Sequence, residues 1–393
     1  MNNWDYKKLS KLCSRIGDGL HGTPEYLNDS DIYFINGNNL NNGKIELNSN
    51  TKKVSVEEFE NNFIPLNENS LLLSINGTIG SMAFYNDEKV MLGKSAAYLN
   101  FNSGINKFYY YYFQLAHIQR HFYNIATGST IKNLSLKSIQ DFEVPVPNEI
   151  EWQGIARALS LIDSKIEINN KINAELEAMA KILYDYWFVQ FDFPDENGKP
   201  YNRSGGKMVW SEELKKEIPE SWEVKKISTV AKFVNGKGIK KEYLSNFGKF
   251  PVYGSNGITG FTNEAHFKNS VISIGRVGAN YGEVHYSLDP CWITDNAVTA
   301  QPYQPYYLWW LINSLKGIDY KKIAGGSAQP LITQGQLKDI KFALPEDSVF
   351  DKFHTLVNSA YLTVNSNIKQ SHTLNKLRDW LLPMLMNGQV KVN

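Results

Sequence analysis

Glycine, asparagine, serine, threonine and lysine crowd a few short stretches of this chain. Those residue types can hydrogen-bond base edges or hold phosphates. Toward the N-terminus they are Asp18, His21 and Thr23 in GDGLHGT, Asn36, Asn38 and Asn39 in INGNN, Asn76 and Thr78 in INGT, and Ser129, Thr130, Lys132 and Asn133 in GSTIKN. Farther on they are Lys237, Lys240 and Lys241, then Tyr253, Ser255 and Asn256, then Arg276, Asn280, Ser327 and Gln329. Each stretch also reads as a plain turn, since asparagine and glycine tolerate positive φ.

Catalytic patterns point elsewhere. An adenine methyltransferase needs an Asn/Asp-Pro-Pro-aromatic motif to hold the target amino group, and QPYQPYY (301–307) lacks the paired prolines. No G-x-x-x-x-G-K-[ST] phosphate loop occurs. GSNGITG (254–260) and GRVGANYG (275–282) lack the strand–GxGxxG–helix setting of a dinucleotide site. PDENGK (194–199) is too compressed for a two-carboxylate nuclease centre, and the seven histidines show no metal-ligand spacing. The expectation is a chain with no catalytic residues, no metal and no cofactor of its own.

The elements that would position these loops occur twice. FYYYYFQLAHIQRHFYNIATGST (108–130) aligns with YYLWWLINSLKGIDYKKIAGGSA (306–328) at an offset of 198, which also carries DFEVPVP onto DIKFALP, Leu176 onto Leu374 and Leu183 onto Leu381. WDYKKLS from Trp4 matches WEVKKIS from Trp222 at an offset of 218. The period far exceeds a solenoid unit, so this is a duplicated globular domain. The loops GST (128–130) and GSAQP (326–330) hold the same place in both copies yet differ in residue type, which makes them the strongest contact candidates.

Each copy reads as a mixed, β-rich α/β domain: a Trp-led strand, short strands with glycine turns at 71–84 and 271–285, an aromatic helix near 107–122 and 305–319, a Gly-Ser turn and a strand ending in proline. The aromatic runs fall at helical spacing and read as core rather than as a base-stacking platform. Heptad seams follow, from Ile155 to Trp187 and from Phe353 to Leu385. A helix over 150–187 would be roughly 57 Å long. Asn169 and Asn367 sit at equivalent seam positions near the helix midpoints, and the expectation is that they face one another and fix an antiparallel register. The boundaries expected are 1–147 for the first domain, 148–189 for the central helix, 190–221 for an ordered connector with a short helix near 211–216, 222–345 for the second domain and 346–393 for the C-terminal helix.

Net charge is +1 overall. Residues 222–345 hold 14 Lys+Arg against 8 Asp+Glu (+6), whereas residues 1–147 hold 13 against 14 (−1). A basic second domain suggests a polyanionic partner. Cys13 and Cys291 occupy unrelated positions in the two copies and read as inert buried thiols. The N-terminus has no secretory pattern and no stretch is long enough to span a membrane, so the expected location is cytoplasmic.

The duplicated plan, the connector FDFPDENGKPYNRSGGKMVW, GDGLHGTPEY (17–26), YFINGNNL (33–40), FPVYGSNGITG (250–260) and LRDWLLPMLMNGQV (377–390) together resemble the specificity subunit of type I restriction–modification enzymes. The resemblance implies two β-rich target recognition domains separated by two long antiparallel coiled-coil helices, in a pseudo-two-fold internal repeat. It implies a non-catalytic subunit that binds a bipartite, asymmetric site on double-stranded DNA. The implied partners are two adenine-N6 methyltransferase (modification) subunits and, through that core, restriction/translocase subunits. S-adenosylmethionine, ATP and magnesium would belong to those partners. The readings set against it are the specificity subunit of another bifunctional restriction system, a coiled-coil scaffold that binds no DNA, and a self-sufficient methyltransferase, which the missing motif disfavours.

Overall fold

Hydrophobic alternation broken by Gly/Asn turns gives each repeat a run of short strands. The computed structural model describes residues 4–246, 248–325 and 330–392. They fall into two units, Met1–Glu167 with Gln370–Asn393 (unit 1) and Ile168–Lys369 (unit 2).

Unit 1 contains β1 (Asp5–Lys8), β2 (Cys13–Asp18), β3 (Ile32–Ile35), β4 (Ser70–Ser74), β5 (Met82–Phe84), β6 (Val90–Leu92), β7 (Ala96–Phe101), α1 (Asn106–Tyr112), α2 (Ala116–Ile125) and β8 (Glu143–Val146). The main sheet runs β2-β7-β4-β5 with antiparallel neighbours. β3 lies parallel to β6, and β8 closes on β1 with Val146 opposite Asp5. The helix α3 (Glu149–Tyr184) follows and continues from unit 1 into unit 2.

Unit 2 repeats the plan. Its strands are β9 (Met208–Ser211), β10 (Lys216–Pro219), β11 (Glu223–Lys226), β12 (Ala231–Asn235), β13 (Phe250–Gly254), β14 (Gly257–Thr262), β15 (Val271–Gly275), β16 (Val284–Ser287), β17 (Trp292–Ile293) and β18 (Ala297–Pro302), followed by α4 (Leu308–Lys316), β19 (Lys341–Leu344) and α5 (Asp347–Met386). The sheet β12-β18-β15-β16 mirrors that of unit 1, β13 is parallel to β17, and β19 closes on β11 with Leu344 opposite Glu223. The same ion pair clasps both closures: Lys8 to Asp141 at 2.8 Å and Lys226 to Asp339 at 2.6 Å.

Strand register gives a residue-by-residue equivalence that the sequence offsets do not. The offset is 223 − 5 = 218 at the opening strand and 344 − 146 = 198 at the closing strand. It is 298 − 97 = 201 in the sheet centre, where Asp18 faces Ala97 and Asn235 faces Val298. Loops shorter in the second copy absorb the difference.

The aromatic runs are core. Phe108, Tyr109 and Phe113 are fully buried in unit 1, as are Trp309 and Trp310 in unit 2. The single helix expected over 107–122 is two helices, because Leu115 turns extended between α1 and α2 (φ −57°, ψ 131°). The Gln119 amide takes up a carbonyl left over at this break, donating to Phe113 O (2.7 Å), and also donates to Gly80 O (3.2 Å) in the β4–β5 turn.

The long helices run antiparallel within unit 2. Trp187 packs on Phe353 (5.8 Å between ring centroids), Phe188 on Phe350 (5.9 Å), and Asn367 Nδ2 donates to Asn173 Oδ1 (2.9 Å). The partner of Asn367 is thus Asn173, one turn beyond the expected Asn169, which is itself fully buried. The aromatic plug sets this register, and the helices, of 36 and 40 residues, do not meet at their midpoints. The short helix expected near 211–216 is instead the turn of the β9–β10 hairpin, where the Leu214 N–H donates to Ser211 Oγ and Lys215 takes φ +51°.

Candidate nucleic-acid interface

In each unit, four strand ends form one edge of the main sheet. In unit 1 they are the C-terminal ends of β2 and β4 and the N-terminal ends of β7 and β5, as the pairs Asp18–Ala97, Ser74–Ala96 and Leu73–Met82 show. The loops leaving these ends carry the polar candidates, because a strand must turn at its end and turns select Gly, Asn and Ser.

The unit 1 edge is knitted together by its own side chains. Asp18 Oδ2 and His21 Nε2 share a hydrogen bond at 2.9 Å. Asn36 Oδ1 accepts from Ser95 Oγ (2.8 Å), Asn39 donates to Glu46 O (3.0 Å), and Thr78 Oγ1 donates to Gly37 O (3.0 Å). The backbones of Asn76 and Asn133 form a β-bridge, and Lys132 Nζ donates to Tyr123 O while lying 3.7 Å from that ring's centroid. Thr23, Asn38, Ser129 and Thr130 are exposed. Most of the polar side chains singled out in the sequence therefore hold the loops in place, which leaves these four as its open groups.

At the unit 2 edge the loops also converge. A Cβ on Gly275, the last residue of β15, would stand 2.4 Å from Ser255 O and 2.8 Å from Asn280 O, so the β13–β14 turn and the 276–283 loop both close over that strand end. Lys237 N donates to Ile293 O (2.9 Å) and Thr294 N to Tyr253 O (2.8 Å). Lys237, Tyr253, Ser255, Asn256, Arg276 and Asn280 thus share one edge. Lys240 and Lys241 are exposed on the following short turn, and Lys240 lies 3.7 Å from Glu242. Ser327 and Gln329 lie outside the described residues. The bases of the two Gly-Ser loops match: Thr127 and Asn133 exchange backbone hydrogen bonds (3.0 and 2.7 Å), as do Gly325 and Leu331 (3.0 and 2.9 Å).

The two edges differ in polarity beneath their loops. Leu72, Ala83 and Tyr98 of unit 1 correspond by register to Ser273, His285 and Thr299 of unit 2. Ser273 Oγ, Arg276 Nε, His285 Nε2 and Thr294 Oγ1 are buried atoms with no hydrogen-bond partner among the described residues. Burial holds His285 below the usual imidazole range and pushes the Tyr253 hydroxyl up to about 12, so both are neutral at pH 7. Sequence reading missed Ser95, Ser273, His285 and Thr294. They lie inside or beside apolar strands, and no Gly/Asn cluster marks them.

Burial pushes the Cys13 and Cys291 thiols up to about 12 and about 11, too high for a nucleophile at neutral pH. Among the described residues, no group of three His, Cys, Asp or Glu side chains could hold a metal ion, and no helix is long and apolar enough to cross a membrane.

The profile of the family described as "Type I restriction modification DNA specificity domain" matches residues 1–178 and 219–361, one stretch per repeat. The chain belongs to this family. This specificity subunit is 26% identical to the MjaIX type I specificity subunit of Methanocaldococcus jannaschii over 425 aligned positions, covering 99% of this chain and 94% of that one. It is 24% identical to the EcoprrI specificity subunit of Escherichia coli, covering 77% and 75%. The crystal structure of the S subunit from M. genitalium has the same fold, with a TM-score of 0.64, 20% identity, and coverage of 98% and 97%. As a type I specificity subunit, the chain determines which DNA sequence is recognised, and the mixed α/β domains with two long helices are the scaffold for that task.

Proposed function

We propose that this subunit reads a bipartite, asymmetric double-stranded DNA site, one half by the domain at 1–147 and the other by the domain at 222–345. The observation that carries the reading is the pair of equivalent sheet edges: the same strand ends and loop bases present different side chains in each copy. Two readers of one design with different surfaces suit two different half-sites. Bases are distinguished by donor and acceptor pattern, and the polar groups at the edges are of the right type.

Two methyltransferase subunits dock on the helices, and restriction/translocase subunits join through them. Supporting this is a repeated apolar pair on the helix surfaces. Met179 and Ile182 on α3 are 64% and 69% exposed, and their counterparts at an offset of 198, Leu377 and Trp380 on α5, are 42% and 57% exposed. Exposed apolar side chains repeated at equivalent places fit two copies of one partner. Methyl transfer to adenine N6 and ATP-driven steps reside in the partners, which bind S-adenosylmethionine, ATP and magnesium. The assembly works in the cytoplasm, where the DNA is.

The test is to replace residues 1–147 with the first domain of another specificity subunit, express the chimera with its modification subunit, and map methylated sites at base resolution. One half of the recognised sequence changes and the other stays. A change in both halves, or in neither, rejects the modular reading. Loss of all DNA affinity with an intact complex would favour a scaffold.

A further inference from the structure

Backbone hydrogen bonds place Arg276 and Ile75 at the same point of the two folds. Ile75 N donates to Ser95 O (3.0 Å) and Ile75 O accepts from Leu134 N (2.9 Å). Arg276 N donates to Asn296 O (3.0 Å) and Arg276 O accepts from Ile332 N (3.0 Å). Each residue immediately follows the last residue of its central strand, Ser74 in β4 and Gly275 in β15. Each is tied to the base of its Gly-Ser loop, since Leu134 and Ile332 directly follow the loop-closing residues Asn133 and Leu331.

Ile75 is 2% exposed and belongs to the core of unit 1. The fold at this point accepts a buried aliphatic side chain and does not require a cation. Arg276 is half-buried, its Nε is buried without a hydrogen-bond partner, and it enters no ion pair among the described residues. A guanidinium is always charged and carries five donors in a planar fork, so leaving it unmatched in a half-buried place opposes folding. The preceding Gly275 is closed over by the backbone carbonyls of Ser255 and Asn280.

We infer that Arg276 is a specificity-determining residue of unit 2 that reads a guanine in the major groove, donating from its fork to O6 and N7. This rests on the DNA-reading function proposed above and names the base class that one edge recognises. Bidentate pairing to guanine matches the geometry of the planar fork. Unit 1 cannot make this contact, because Ile75 is buried and has no donor. The second half-site therefore requires a G·C pair that Arg276 selects, and the corresponding point of the first half-site is read by other groups.

The test uses the full chain co-expressed with its modification subunit. Methylated sites are mapped for the wild type, Arg276→Ile and Arg276→Lys, and DNA affinity is measured as a function of salt. Arg276→Ile installs the residue that the fold already holds in unit 1, and thermal melting checks that it folds. The expected result is that one G·C position of the second half-site becomes degenerate in Arg276→Ile while the first half-site stays intact. Affinity for the original site falls by about tenfold to a hundredfold in Arg276→Ile. Arg276→Lys keeps the charge and the salt dependence, and because its ammonium can still donate to O6 and N7 it weakens the guanine preference less than Arg276→Ile. The inference is overturned if the recognised sequence is unchanged in Arg276→Ile. It is also overturned if affinity falls equally on all sequences with a shallower salt slope, which marks a phosphate contact. A wild type whose methylation map shows no bipartite site would reject the underlying reading instead, before either variant is considered.

Discussion

Trp309 lies flat on Tyr361, with ring centroids 4.1 Å apart and planes 6° apart. The residues at an offset of 198 in unit 1 are Tyr111 and Asp163, and there the contact is a hydrogen bond from the Tyr111 hydroxyl to Asp163 Oδ2 (2.7 Å). Arg378 Nη1 completes the unit 1 joint at 2.8 Å from Asp163 Oδ1, whereas its counterpart in unit 2 is the buried Ala180. One joint between recognition domain and helix is thus built twice, once from charge and once from stacked rings. Burial and the Asp163 carboxylate hold the Tyr111 hydroxyl far above its usual range, so it remains a donor.

Trp309→Ala removes a fully buried ring and its Nε1 bond to Asn358 (3.0 Å), and should cost unit 2 about 3–5 kcal/mol. Arg378→Ala should cost unit 1 about 1–3 kcal/mol by stranding Asp163. Transplanting the unit 2 set, as Tyr111→Trp, Asp163→Tyr, Arg378→Ala and Ser160→Asn, should recover most of that loss. Urea unfolding of the full chain measures all three. A transplant no better than Arg378→Ala alone would show that the two joints are not interchangeable.

Gly19 and Gly236 mark the same close approach in both copies. A Cβ on Gly19 would lie 2.0 Å from Leu92 O, and one on Gly236 would lie 2.1 Å from Thr294 O. Both obstacles are backbone, which cannot swing aside. Gly19→Ala and Gly236→Ala should each destabilise by roughly 3 kcal/mol or more and open the edge of one unit only. Hydrogen exchange resolves which unit loses protection, and equal loss in both units would contradict the assignment.

Acid should weaken unit 2 through His285. Burial lowers its pKa, Lys316 lowers it further, and Glu283 opposes. A folded-state value below the unfolded one means that the native state binds fewer protons in between. Stability is therefore complete above about pH 6.5 and falls as the pH drops through that value. His285→Ala installs the residue of unit 1, Ala83, and should flatten the decline of melting temperature between about pH 7.5 and 5.5. An unchanged slope would assign the acid sensitivity to other groups, such as the half-buried His354.

The apolar pairs on the helices make a stoichiometric prediction. Met179→Ser with Ile182→Ser should remove one modification subunit, and Leu377→Ser with Trp380→Ser the other, leaving one-to-one complexes by light scattering. Retention of both copies in either variant would place docking elsewhere.

Duplication, the aromatic core, the heptad seams and the Gly/Asn turns were legible in the sequence, because each is a local or periodic signal. Trp309 and Tyr109 stand at helical spacing whatever surrounds them, and the closing strands show their fixed offset of 198. The pairing of Asn367 with Asn173 was not legible, since two seam asparagines one turn apart are equivalent until the Trp187–Phe353 contact chooses between them. Nor was the β9–β10 hairpin, where local helix-forming residues yield to strand pairing.

The sequence by itself determined that this protein carries two related domains joined to long helices, and that its family reads DNA. Only the tertiary structure decided which polar residues hold their own loops and which stand open, because that depends on partners distant in the chain. Thr78 is tied to Gly37 and Asn36 to Ser95, whereas Arg276 stands where Ile75 stands in the other copy. The offset drifts from 218 to 198 through loops of unequal length, so backbone hydrogen bonds, not sequence position, identify that last equivalence.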